Sequence, residues 1–151
     1  MDNIQLAASA AALAPGSGIV QGKHFVEITV APELLVSAAT ALKQNKETLF
    51  DMLVCITGVD RGKELGTVYH LRSTVYNHMI VLKTFVSDRE NPEIDSLCSL
   101  WPAADFHERE VFDLLGIKFR GHPDLRRLFL DSTWGYPLRK DYKDDINILA
   151  K

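Results

Sequence analysis

Residues 101–142 read WPAADFHEREVFDLLGIKFRGHPDLRRLFLDSTWGYPLRKDY, and they divide into a helix and a long strap. Pro102 stands where a missing N–H costs nothing, at the first helical position, and Gly116 stands where a left-handed residue would stop the helix. At about 100° per residue, Trp101, Ala104, Val111, Phe112 and Leu115 share one stripe, with Glu108 inside it. Ala103, Phe106 and Leu114 lie opposite, with Glu110 among them. Apolar residues on two opposed faces predict a helix buried on both sides. Beyond it, Gly121, Pro123, Gly135 and Pro137 interrupt any regular element. Phe119, Leu125, Leu128, Phe129, Leu130, Trp134, Tyr136, Leu138 and Tyr142 give this strap more apolar surface than it can bury by itself. It either lines its own domain or lies on another protein.

The upstream chain supplies an α+β core. The 151 residues suit one domain, with residues 1–18 as a short helix and linker, 19–115 as core and 116–151 as an extended partner-binding tail. HFVEITV at 24–30 alternates as a half-buried strand does. Pro32 opens a helix running to about Asn45. LFDMLVCIT at 49–57 is more continuously apolar and reads as a central strand. Residues 67–76 and 78–86 form a hairpin around Asn77, rich in β-branched and aromatic residues. Ile94 to Leu100 reads as a short helix. Strands joined by short turns imply an antiparallel or mixed sheet with helices packed on one face, followed by the strap.

Composition excludes several classes. A content of 46% hydrophobic and 25% charged residues is that of an ordinary globular protein, and a net charge of −3 gives no general pull toward nucleic acid or anionic lipid. Basic residues do cluster in the strap beside aromatics, but this is also the composition of protein interfaces, where Trp, Tyr and Arg dominate binding energy. Cys55 and Cys98 form no CxxC pair, which argues against a cluster or zinc site built from this chain alone. No run approaches the ~20 apolar residues of a membrane span.

The run His107-Glu108-Arg109-Glu110 invites a catalytic or metal reading. A zincin helix needs a second histidine at position 111, which is Val, and a di-iron bundle needs carboxylates on other helices. Glu108 and Glu110, two apart on a helix, point to different faces and cannot work on one substrate atom. A structural role follows: Arg109 and Asp113 are spaced to pair with each other, and Arg126, Arg127 and Arg139 are candidates to meet Glu108 and Glu110. No phosphate loop or nucleophile motif accompanies them. Catalytic, cofactor-binding and metal residues are therefore all expected to be absent.

Three blocks in order carry a resemblance: Ala104–Ile117, His122–Arg127 and Pro137–Tyr142. They resemble the family of the thirty-kilodalton subunit, the C subunit of bacteria, in respiratory NADH:quinone oxidoreductase (complex I). That family's pattern is Ala-Asp-Trp-x-Glu-Arg-Glu-x-aromatic-Asp-hydrophobic-x-Gly-Ile, then His-Pro-Asp-Leu-x-Arg, then Pro-Leu-Arg-Lys-Asp-aromatic. Phe106, where tryptophan is common, is the one clear departure.

The resemblance implies a subunit without a redox cofactor, in a holoenzyme that carries FMN and iron–sulfur clusters, reduces quinone and translocates protons. It implies contact with the forty-nine-kilodalton-type protein, or D-type subunit, and with other hydrophilic-arm subunits. It places the chain on the cytoplasmic face of the bacterial inner membrane, held there only through the complex. Glu108, Arg109, Glu110, Asp113, His122, Pro123, Asp124, Arg126, Arg127, Trp134, Pro137, Leu138, Arg139, Lys140, Asp141 and Tyr142 become its structural or partner-contacting positions. Within the superfamily, subunits of membrane-bound hydrogenases and of ferredoxin- or deazaflavin-linked dehydrogenases would look alike. A stand-alone acid/base enzyme is the alternative from another class.

Overall fold

The computed structural model describes residues 3–147; residues 1–2 and 148–151, the outer ends of the expected N-terminal helix and of the tail, lie outside it. Helix α1 (Asn3–Leu13) leads to strands β1 (Gly18–Gln21) and β2 (Val26–Val30). A 3-10 turn at Pro32–Leu34 opens helix α2 (Leu35–Gln44), where Pro32 supplies the expected start. Strands β3 (Met52–Asp60), β4 (Leu65–Ser73) and β5 (His78–Val86) follow, then the short β6 (Glu93–Asp95), helix α3 (Ala104–Leu115) and β7 (Lys118–Arg120).

The fold is α+β around a five-stranded mixed sheet of order β1-β2-β5-β4-β3. All neighbours are antiparallel except β2 and β5, which run parallel and are joined by the crossover through α2, β3 and β4. The hairpin turns at Asn77, whose φ of 54° is a left-handed conformation that asparagine tolerates. On one face, Leu65, Tyr69, Leu71, Ile80, Leu82, Val26 and Ile28 are buried in a single cluster with residues of all three helices, including Leu6, Leu35, Leu42, Val111 and Leu115. The other face is half open, with the ion pair between Lys83 and Glu27 and the ring of Phe25 set edge-on to His70. Helices on one face, as the sequence predicts, follow from this alternation.

Three local expectations change. The 49–57 run does not lie centrally: β3 is an edge strand, with Met52 45% and Val54 39% exposed. Ile94 to Leu100 is not helical; Glu93–Asp95 instead pairs in parallel with Lys118–Arg120, and a turn follows. A strand at Gly18–Gln21 precedes the expected first one. Moreover, Ile117 and Phe119, assigned by sequence to the tail, are buried in the core, so the strap proper begins after Gly121.

Candidate functional site: helix α3 and its strap

Helix α3 ends as its sequence dictates, with Gly116 at φ 72° and its N–H donating to the Phe112 carbonyl. A Cβ at this glycine would stand 2.6 Å from the Tyr136 ring, so the helix end and the strap meet through the absence of a side chain. The expectation of burial on both faces holds for one. Ala104, Glu108, Val111 and Leu115 are enclosed, whereas Phe106 is 63% exposed and Ala103 is open. The strap runs along the flank between these faces, over Arg109 and Asp113, and leaves Ala103 and Phe106 of the second face uncovered, with Glu110 and Leu114 half-buried.

Asp113 organises the strap. Its fully buried carboxylate accepts N–H bonds from Phe129 (2.7 Å), Leu130 (3.0 Å) and Leu128 (3.3 Å), and the Arg127 guanidinium lies 3.0 Å away. Burial alone would raise this carboxyl, but the Phe129 and Leu130 N–H groups, Arg127 and Leu128 together hold it below the usual carboxylate range. Arg127 extends the grip, donating also to the carbonyls of Trp134 (2.8 Å) and Gly135 (3.1 Å). Arg109 does not pair with Asp113. It donates instead to the carbonyls of Arg126 (3.2 Å) and Arg127 (3.1 Å), because the strap offers backbone acceptors along that flank.

Glu108 and Glu110 do not meet the strap arginines. Glu108 is buried against the segment before the helix, accepting from Ser96 Oγ (2.6 Å), the Leu97 N–H (2.7 Å) and Cys98 Sγ (3.4 Å). Burial raises its carboxyl, and these donors offset the rise only in part. Glu110 is half-buried on the uncovered side. Arg126 pairs at the surface with Asp124 (2.8 Å), beside the exposed Pro123. Arg139 donates to the carbonyls of Leu115 (2.7 Å) and Arg89 (2.8 Å). Tyr136 lies between Arg127 and Arg139, with the guanidinium centres 5.2 and 5.0 Å from its ring.

A second clamp joins Lys140 and Asp141 to two residues outside the set that the sequence singles out, Asp60 and Arg89. Asp60 at the end of β3 takes a two-pronged pair from Arg89 (2.7 and 3.0 Å) and the N–H of Lys140 (2.9 Å), while Arg89 also reaches Asp141 (3.1 Å). The Arg89 hydrogen bond is the main cause holding the Asp60 carboxyl well below its ordinary range. A strand end and a turn so far apart in the chain carry no pattern linking them. At the far end, Tyr142 bonds Asp144, and its ring fills the space a Cβ at Gly135 would occupy.

The closest approach to a metal constellation among the described residues is Cys98, Glu108 and His122, whose ligand atoms lie within 4.8 Å of one another. Its hydrogen bonds favour a structural lock. The Asp124 N–H donates to His122 Nδ1 (2.9 Å), so the ring hydrogen sits on Nε2, which donates to the Asp105 carbonyl (3.1 Å). Asp105 Oδ1 lies 3.3 Å from the same Nε2 without a hydrogen bond of its own. Burial pushes the Cys98 thiol up to about 11, and its Sγ donates to Glu108 (3.4 Å).

What the site can do chemically is hold polypeptide. Phe129 and Leu138 project from it, 68% and 59% exposed, on backbone fixed from beneath by Asp113 and by the bond from the Leu138 N–H to the Leu114 carbonyl (3.1 Å). Exposed apolar side chains on an anchored backbone are the makings of a partner surface.

Residues 28–146 match the family model described as respiratory-chain NADH dehydrogenase, 30 Kd subunit. The chain is 40% identical over 147 residues to the C subunit of NADH-quinone oxidoreductase from Roseiflexus castenholzii, covering 93% of this chain and 84% of that protein. It is 48% identical over 124 residues to the C/D subunit of NADH-quinone oxidoreductase from Phocaeicola vulgatus, covering 81% of this chain but only 24% of that protein. The chain thus spans about a quarter of the length of the C/D relatives it matches. In fold it resembles a chain of the membrane-bound sulfane sulfur reductase, an archaeal respiratory membrane complex, with a TM-score of 0.81 at 24% identity over 98% of this chain and 93% of that one. On the family match and the extent of these relationships, the chain belongs to the family of the 30 Kd subunit of respiratory-chain NADH dehydrogenase.

Proposed function

We propose that this chain is the C component of a proton-translocating NADH:quinone oxidoreductase, a scaffold without redox chemistry of its own. It stands beside the D-type subunit and helps assemble the quinone-reducing module, while FMN and the iron–sulfur clusters belong to other subunits. Its proposed place is at the cytoplasmic face of the membrane, held by its partners; no helix among the described residues is long and apolar enough to cross a membrane.

The observation that carries this reading is the strap. Asp113, Arg109, Arg127 and Asp60 each hydrogen-bond backbone of residues 126–140, and the segment so held turns Phe129 and Leu138 outward. These polar groups fix the shape of a surface, which is what a scaffold role asks of them. The C/D relatives support a neighbour of D type, since their name joins the two.

The test is native purification of the tagged chain from membranes dissolved in mild detergent, with subunits identified by mass. Recovery of a D-type subunit, iron–sulfur subunits and NADH:quinone activity is expected. A chain recovered alone, or one that turns over substrate unaided, would overturn the proposal.

A further inference from the structure

Two sequence expectations fail at the same place. The 49–57 run has the composition of a central strand, yet β3 is an edge, and the second apolar face of α3, expected to be buried, is only partly covered, with Phe106 exposed and Glu110 and Leu114 half-buried. These exposed features border one groove of about 310 Å³ between β3 and α3. Ile56 and Gly58 form one wall, His107, Glu110 and Leu114 the other, and Leu138 of the strap closes one side. Gly58 has no room for a Cβ against Val111 and Leu115, so the helix presses on the strand from within and leaves its outer edge free.

The two edges of the sheet differ. β1 is a short, largely exposed strand packed by α1, an edge that offers little to a neighbour. β3 is nine residues long, contains neither lysine nor proline, and pairs among the described residues only with β4. Its irregularity between Leu53 and Cys55 leaves Ile56–Asp60 in regular register as a template.

We propose that the free edge of β3 is completed by an extended strand of the D-type subunit, which adds to the sheet and lays alternate side chains into the groove. This rests on the function proposed above. That partner is chosen because the groove is continuous, through Leu138, with the strap surface assigned to it. In the C/D relatives, moreover, the C part is joined to a D part in one named protein. The groove is lined by Glu110 and by no lysine or arginine, so the incoming strand carries apolar residues at alternate positions and a basic residue opposite Glu110.

Hydrogen exchange on the full chain alone and in the detergent-purified complex tests this. Amides of residues 52–60 should slow by about 100-fold or more in the complex. Thr57→Cys, at an exposed position on β3 and carrying a photoreactive crosslinker, should attach to the D-type subunit. Glu110→Lys should weaken binding of that partner by about tenfold or more with unchanged melting.

If the D-type subunit is recovered and residues 122–147 are protected while 52–60 exchange as before, the inference falls and the proposed function stands. If that partner is never recovered, both fall. Concentration-dependent protection of 52–60 in the chain alone would assign the edge to a second copy and overturn the inference, as would a crosslink to any other protein of the complex.

Discussion

Replacing Asp113 by alanine removes one acceptor from four donors: the N–H groups of Leu128, Phe129 and Leu130 and the Arg127 guanidinium. Hydrogen bonds to a charged group contribute about 1.5–3 kcal/mol each, and they are not additive when one group makes them all. Breaking one partner out of a buried ion pair typically costs about 3–5 kcal/mol, because the remaining charge is left without compensation. Arg127 retains the Trp134 and Gly135 carbonyls, which limits that part of the loss. A destabilisation of about 3–4 kcal/mol is therefore expected. In a domain of this size it should lower the midpoint of thermal unfolding by roughly 6–16 °C. Hydrogen exchange separates local from global loss: the Phe129 and Leu130 amides should lose protection at much smaller cost than those of β4 and β5, which share no bond with Asp113. Asp113→Asn should fall between, since it keeps one acceptor oxygen. If Asp113→Ala melts within about 1–2 °C of the unaltered chain and its strap amides exchange as before, the carboxylate does not hold the strap.

Glu108 and Asp60 should act on opposite limbs of the pH–stability curve. Burial raises the Glu108 carboxyl above its unfolded value, so its contribution is complete below about pH 4.3 and is lost as pH rises through the folded value; Glu108→Gln should flatten that decline, and parallel curves from about pH 4 to 8 would contradict it. The Asp60 carboxyl is depressed, chiefly by Arg89, so its contribution is present above about pH 3.9 and is lost only as pH falls through the folded value. Asp60→Asn should free the strap end and speed tryptic cleavage after Lys140 and Lys143; an unchanged rate would show that the clamp does not restrain it. Gly116→Ala should cost about 2–4 kcal/mol in urea unfolding, from a left-handed alanine plus displacement of Tyr136, and a cost below about 1 kcal/mol would refute the close approach.

The parts of this fold legible in sequence are those encoded locally. Pro102 and Gly116 mark α3, which begins two residues after the one and ends just before the other; Asn77 marks the hairpin, and the alternation in β4 and β5 gives the buried face. The core of the strap is legible as a clamp but not in its partners. Arg109 and Asp113 have the spacing of an ion pair, and nothing in a helical wheel reveals that backbone groups much further along the chain compete for both. Three-residue strands such as β6 are too short to show a period, and their pairing is decided by β7. β3 reads as central for an instructive reason: its apolar run reports how much burial the strand seeks, and the described residues supply a neighbour on only one edge.

The most direct measurement of the central claim is the affinity of the purified chain for the D-type subunit, with and without the double substitution Phe129→Ser, Leu138→Ser. Both side chains are largely exposed, so the variant should melt as the unaltered chain does. Two central anchors at about 2 kcal/mol each predict a loss of binding of about 1,000-fold. Tight binding by the unaltered chain and its loss in the variant would establish the strap as the scaffold surface. Equal affinity would show that the contact lies elsewhere, and no binding by either would contradict the assignment of the partner itself.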